Sequence, residues 1–391
     1  MKKVILSTLA ALTLTTSVAV AGEPVEWYSK ASKLKFSGLT YLGYTHTDFK
    51  NDAKFKNDSN LTAQPMDAKD GTDKFQMRRA YVQIKAYLLE DPKSYFRVTL
   101  DMEHDDSDKS TGDYNVRFKY AYLYLNEILP FTGVEMGIVH RPWIDYEEHN
   151  SWFYRDTHWV FVEAGNAAKL TNSADLGFNF KTKTEYFSSE VGIFNGEGYH
   201  DNSDGDGVSA EWRFTGHILG KHKKDAQNTE TYWDASFYGQ YNMKNHKYQD
   251  FNENQDLVWG GLHTVFNMPM FMLGAQYVES QNTIDSITGV TNPIYNKAGK
   301  GYNAHAIFRL GDEKQFRLVA RYDHWTPEKL VDTEELSKNT YYAGFVWEQS
   351  DNVEWVANYL QYANDLSANN VMAVNAKDNS SSYMLTAQVK F

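Results

Sequence analysis

Five basic residues recur at same-face spacings in three neighbouring, alternately patterned segments: Arg79 with Lys85, Arg97, and Arg117 with Lys119. Residues two apart on a strand point the same way, so each segment puts its bases on one face. Fixed cations gathered on adjacent strands can hold or pass anions. The same parity places Arg141, Arg213, Arg309, Arg317 and Arg321 on the water-facing side, whereas Arg78 falls with Ala80, Val82 and Ile84 on the apolar side. The segment 142–168 has the opposite chemistry. Asp145, Glu147, Glu148, Asp156 and Glu163 outnumber Arg155 there, among Trp143, Tyr146, Trp152, Phe153, Tyr154, Trp159 and Phe161. Acids on a loop facing bases on a wall would create a transverse field that orients polar solutes. Asp101, Glu103, Glu135, Glu190 and Glu211 offer a plainer role for the bases, as paired components of a wettable wall.

Other chemistries are poorly supported. Asp323 and His324 are adjacent, so on a strand they face opposite ways and cannot form a relay. No nucleophile elbow occurs. Asn202 to Gly207 alternates acids before a glycine like a calcium loop, but Arg213 stands where the bidentate Glu belongs. That string reads as a hairpin loop, with surface divalent binding left open, and Glu103 to Asp108 reads as a solvated loop. Cysteine is absent, which excludes disulfides, thiolate metal sites and covalently attached c-type haem. No cofactor, resident metal or nucleic-acid partner is expected.

The elements that must carry these side chains are strands. From Tyr383 to Phe391, Tyr383, Leu385, Ala387 and Val389 alternate with mostly polar residues, and the chain ends on an aromatic. One face suits lipid and the other water. A terminal aromatic on such a strand resembles the signature that barrel-assembly machinery reads, which makes Tyr383 and Phe391 candidate assembly residues. At the other end, Lys2 and Lys3 precede an apolar run and the small-residue site Ala19-Val20-Ala21. Residues 1–21 are therefore expected to be a signal peptide, 22–33 a short periplasmic segment and 34–391 a barrel. Removing Lys2 and Lys3 takes the formal net charge from −12 to −14. Mean hydropathy of −0.60 is compatible with a membrane barrel, because its strands show lipid only half their side chains.

Sixteen alternating segments can be counted from Leu34 to Phe391, an even number as in bacterial single-chain barrels. Connections alternate between long and short, with Ile218 to Glu230 a long one where a tight turn belongs. The expectation is an all-β, transmembrane antiparallel barrel of about sixteen strands, with long extracellular loops and the third folded inward. It would sit in the outer membrane of a Gram-negative cell, against lipid and lipopolysaccharide. Acidic residues concentrate in loops two, three and four, where they would favour cations within a Debye length of ~8 Å.

Phe75-Gln-Met-Arg-Arg-Ala-Tyr-Val-Gln-Ile-Lys85 followed by Phe96-Arg-Val-Thr-Leu-Asp101 resembles the phosphate-selective porin O and P family. Gly137-Ile-Val-His-Arg-Pro142 and Val191-Gly-Ile-Phe-Asn-Gly196 add to the likeness. The resemblance implies a sixteen-stranded homotrimeric porin with an inward third loop. The function expected is passive diffusion of small hydrophilic solutes and ions through a water-filled barrel; anion selectivity of the phosphate type is the alternative, ahead of a barrel enzyme or adhesin. The basic cluster and the acidic mouth predict opposite charge preferences.

Overall fold

The computed structural model describes residues 31–49, 71–104, 114–199, 207–222, 229–246, 255–282, 295–329, 337–365 and 379–391. The expected signal peptide, most of loop two and nearly all of the calcium-like string lie outside them. Sixteen strands close into one antiparallel barrel, each bonded to its sequence neighbours. They are β1 (Ala31–Phe49), β2 (Thr72–Leu88), β3 (Tyr95–His104), β4 (Tyr114–Leu129), β5 (Thr132–His140) and β6 (Ala174–Lys183). β7 (Phe187–Phe194), β8 (Ser209–His217), β9 (Tyr232–His246), β10 (Gln255–Met268) and β11 (Phe271–Asn282) follow. The wall ends with β12 (Tyr295–Leu310), β13 (Phe316–Lys329), β14 (Ser337–Ser350), β15 (Val353–Asp365) and β16 (Ser380–Lys390). Among the described residues one helix, α1 (Pro142–Asn150), stands inside the wall.

Alternation decides which side chains meet lipid. Leu262 is 63% exposed on the outside, while its neighbour His263 is 4% exposed on the inside. Phe96, Phe118, Phe308, Leu318 and Phe345 continue the outward apolar band. So large an exposed apolar surface needs a lipid cover. No helix among the described residues is long and apolar enough to cross a membrane. Aromatics mark both ends of the band. Tyr302, Tyr322 and Tyr341 meet in sequence toward the loop rim, and Phe316 packs on Phe345 toward the turn rim.

β1 and β16 close the wall from Leu39 opposite Lys390 to Phe49 opposite Ser380. Phe391 lies past the end of β16, yet its amide donates to Gly38 O at 3.1 Å and its carbonyl accepts from Gly38 N at 2.9 Å. A Cβ on Gly38 would overlap the Phe391 ring, so glycine makes the seat for that aromatic.

Several strand boundaries differ from the sequence reading, and two bear on the site. β1 begins at Ala31, inside the expected periplasmic segment, because Ala31 still pairs with Leu88. β5 stops at His140, so Arg141 caps α1 instead of ending a strand. A register shift between Tyr41 and Leu42 also leaves Arg78 as an extra residue in β2. A bulge of this kind breaks parity. Arg78 accordingly reaches inward to Met384 Sδ at 3.1 Å, within electrostatic range of Asp156 and Tyr362, and does not face lipid.

Candidate functional site

The third loop leaves β5 at His140 and returns at β6 after crossing the lumen. Pro142 at the first helical position fixes φ for helix entry, but a nine-residue helix depends on packing for stability. Trp143 supplies it, stacking flat on Tyr238 at 3.5 Å. Beyond α1, Ser151 Oγ lies 2.9 Å from His263 Nε2 and 3.0 Å from His305 Nε2. Trp152, fully buried, donates to His158 O and meets Tyr342 edge-on. Thr157 bonds the Tyr342 hydroxyl and Asn166 bonds Thr340. Val160, Phe161 and Val162 pack in one apolar cluster with Val265, Met272, Val319, Val346 and Val356 of the inner wall. The lumen beside β9–β16 is thus filled by the loop, as its aromatic content demanded.

This burial changes the role of several predicted pore bases. Arg141, only 2% exposed, donates to Asp175 Oδ2 at 2.7 Å and pairs with Glu211, anchoring the root of the loop. Arg213 pairs with Glu190 at 3.1 Å and lies over the Tyr146 ring. On the far wall, Arg317 joins Glu348 at 2.9 Å and Glu354 at 2.7 Å, and Arg321 joins Asp323 at 2.7 Å beneath Trp152. Arg309 donates to Met268 O. The four on strands point inward as parity required, and Arg141 does so from the helix cap, but the loop and their own partners cover them. They hold the plug and do not line an open channel.

The wall of β2–β4 is different. Arg79 and Arg117 share one carboxylate, Asp101. Lys119 Nζ donates to the Tyr81 hydroxyl at 3.2 Å. Arg97 lies over the Tyr120 ring and donates to Tyr122 and Thr99, with His140 Nε2 3.1 Å from its guanidinium. Lys85 sits 4.5 Å above the Tyr95 ring. Among the described residues, no carboxylate lies within ion-pair distance of Lys85, Arg97 or Lys119. Cations held by aromatic faces and hydroxyls keep most of their field.

Facing this wall, the loop presents Arg155 gripped by Glu148 and by Glu163, whose Oε1 is 2.8 Å from the guanidinium. Against burial, Arg155 holds the Glu163 carboxyl below its ordinary range, with smaller contributions from Lys119 and Arg79 of the wall. Glu148 and Glu163 are thus the loop acids within electrostatic range of Lys119. Two other predicted constriction acids turn away. Glu147 accepts from Gln276 at 2.6 Å toward β11, and burial pushes its carboxyl up to about 7. Asp156 lies by Arg78 and Glu354, likewise pushed up to about 7 by burial. Asp145 is nearer the turn rim, 3.4 Å from Lys181 Nζ and 3.8 Å from His140. Lys181, which also meets Glu135 and Glu190, was missing from the predicted set although strand parity placed it inward beside Asn179.

Asp323 meets His158 of the loop at 3.1 Å, and His324 is on another face, as adjacency on a strand required. Tyr383 points outward with Leu385, and Phe391 occupies its seat on Gly38.

No protein-family model and no curated protein matches this sequence. Solved structures share the fold. The anion-selective porin from Comamonas acidovorans is 12% identical with a TM-score of 0.60, covering 92% of this chain and 99% of that one. OmpF of Salmonella typhi, in complex with daunomycin, is 11% identical with a TM-score of 0.56, covering 94% and 100%. The trimer form of the outer-membrane protein OmpT of Vibrio cholerae is 10% identical with a TM-score of 0.57, covering 92% and 99%. At these identities the likeness establishes the porin-type barrel.

Proposed function

We propose that the chain is an outer-membrane porin whose narrow aqueous path runs between the β2–β4 wall and the Glu148–Arg155–Glu163 face of the third loop, passing small hydrophilic solutes passively with a preference for anions. One observation carries this reading: Lys85, Arg97 and Lys119 share a wall and none has an ion-paired carboxylate among the described residues. The sequence pointed to a broad mixed-selectivity porin with an anion channel as the alternative; the three wall cations without an ion-paired carboxylate favour the second. The resemblance to the phosphate-selective family rests on its short motifs, and the solute within the anion class is not assigned. Trimeric assembly is part of the proposal, supported by the trimer form of the Vibrio cholerae barrel.

The extent of loop packing favours one modification of a general porin: conductance below that of an open sixteen-stranded lumen. Reversal potentials in asymmetric KCl test the reading. Anion preference should persist as salt is raised, because charges in a narrow path are screened less than those at a mouth. A cation preference that fades with salt would give the acidic mouth control, and a silent barrel would overturn the channel altogether.

A further inference from the structure

The β8–β9 connection is long on the rim where the other connections are tight turns, and its first residues fold back onto the wall. His217 ends β8, His222 lies on the connection, and Asp234 faces inward near the start of β9. His217 Nδ1 is 2.9 Å from Asp234 Oδ1, and His222 Nε2 is 2.9 Å from Asp234 Oδ2. One ligand atom from each residue lies within 4.8 Å of the others. We propose that His217, His222 and Asp234 bind a divalent d-block ion, with Zn²⁺ the best match to the donor set.

Two imidazoles and one carboxylate, with water as fourth ligand, make a tetrahedral zinc set. Bonds of ~2.1 Å hold such ligands about 3.4 Å apart, so the 2.9 Å His–Asp contacts must open slightly and any pair now as far apart as 4.8 Å must draw in. Two neutral imidazoles beside one carboxylate favour this ion over calcium or magnesium, which prefer all-oxygen shells. The surroundings are built to hold the ligands. Tyr146 donates its hydroxyl to Asp234 Oδ2 at 2.6 Å, and the His222 ring lies flat on Tyr232 at 3.5 Å. For His217 to bind through Nδ1, its proton must sit on Nε2, where Ser188 Oγ at 3.0 Å can accept it. Such a partner behind a ligand fixes its tautomer.

His217 and His222 open onto a cavity of about 140 Å³ that Lys181, Ser188 and Arg213 also line. That is ample for coordinated water. The two cations are turned to Glu190, which leaves Asp234 to face the ion. Because Tyr146 belongs to α1, an ion here would tie the β8–β9 connection, both strands and the third loop together. The inference stands independently of whether the barrel conducts.

The test uses untagged, full mature protein in detergent, titrated with Zn²⁺ alone by calorimetry. One ion per chain is expected, with no competition from excess Ca²⁺. His222→Gln should weaken binding by more than the roughly 10–100-fold typical of losing only a partner behind a ligand. His149→Gln, on an exposed imidazole outside the cluster, should leave affinity unchanged. X-ray absorption on the unmutated zinc-loaded chain gives a readout that needs no variant: two imidazoles in the first shell support the site. An all-oxygen shell, no stoichiometric binding, or equal weakening by both substitutions would overturn it.

Discussion

The two sides of the lumen are built from the same residue types at the same inward parity, yet they have different fates. On β9–β16, Arg317 and Arg321 are locked to carboxylates beneath Trp152 and Tyr154, in a layer continuous with Val319, Val346 and Val356. On β2–β4, Arg97, Lys119 and Lys85 rest on tyrosine rings and hydroxyls. The difference lies in the partners rather than in exposure, since Lys119, at 4%, is as buried as Arg321. An inward base is thus held by carboxylates on one side and by aromatic faces and hydroxyls on the other.

The largest break in this comparison comes from removing the cover. Replacing residues 152–168 with a short Gly-Ser linker should raise single-channel conductance several-fold, toward that of the open aqueous lumen typical of ~16-stranded barrels. Unchanged conductance in a correctly folded variant would show that the loop does not set the path.

The next effect separates the walls by stability. Arg317→Ala leaves Glu348 and Glu354 without their shared partner in a covered site, where breaking a buried pair costs about 3–5 kcal/mol. The temperature of heat-modifiable migration should drop clearly, with ion selectivity unaltered. Arg97→Ala, which removes no ion pair, should hardly move that temperature. Equal destabilisation by both would erase the distinction between the walls.

A smaller effect should appear only on the other side. Each wall charge acts on a passing ion a few ångströms away by ~1 kcal/mol at water-like dielectric, or about fivefold. Arg97→Ala with Lys119→Ala should therefore reduce the anion-to-cation permeability ratio severalfold, read as a shift in reversal potential. If Arg321→Ala shifts it as much, the path lies somewhere other than the β2–β4 face.

Much of this was legible in the sequence, for a definite reason. A period of two fixes both the strand and the face, so sixteen strands and the inward direction of Arg79, Arg97, Arg117 and Arg317 followed from alternation alone. Where the period fails, so does the reading. The bulge at Arg78 turned an apparent lipid-facing residue inward, a one-residue effect no pattern revealed. Loop burial was visible only as aromatic excess. Which acids would face the wall, Glu148 and Glu163 rather than Glu147 and Asp156, depends on packing between segments far apart in sequence. His222 went unnoticed because the long connection carrying it has no periodicity to read.

Glu147 allows the finest test, because it lies in the loop, off the spanning strands, on the covered side. Burial favours its neutral form, and Arg321 with the hydrogen bonds from Gln276 and Trp143 only partly offsets this, giving a value of about 7 against an ordinary 4.5. The folded state therefore holds a proton that the unfolded chain has released. The resulting stabilisation is complete below about pH 4.5 and is lost as pH rises through about 7. Between pH 6 and pH 7 the loss amounts to roughly 1 kcal/mol, from 1.36 kcal/mol per unit. Asp156 adds in the same direction. Glu147→Gln keeps the shape, cannot ionise, and can be oriented to accept from Gln276. The variant should be more heat-resistant than the parent at pH 8 and nearly equal to it at pH 5. The same substitution at Glu163, whose carboxyl is held ionised by Arg155 at 2.8 Å, should instead weaken the fold at pH 8. If both variants respond alike to pH, the covered and facing sides of the loop are electrostatically equivalent and the contrast between the two walls fails.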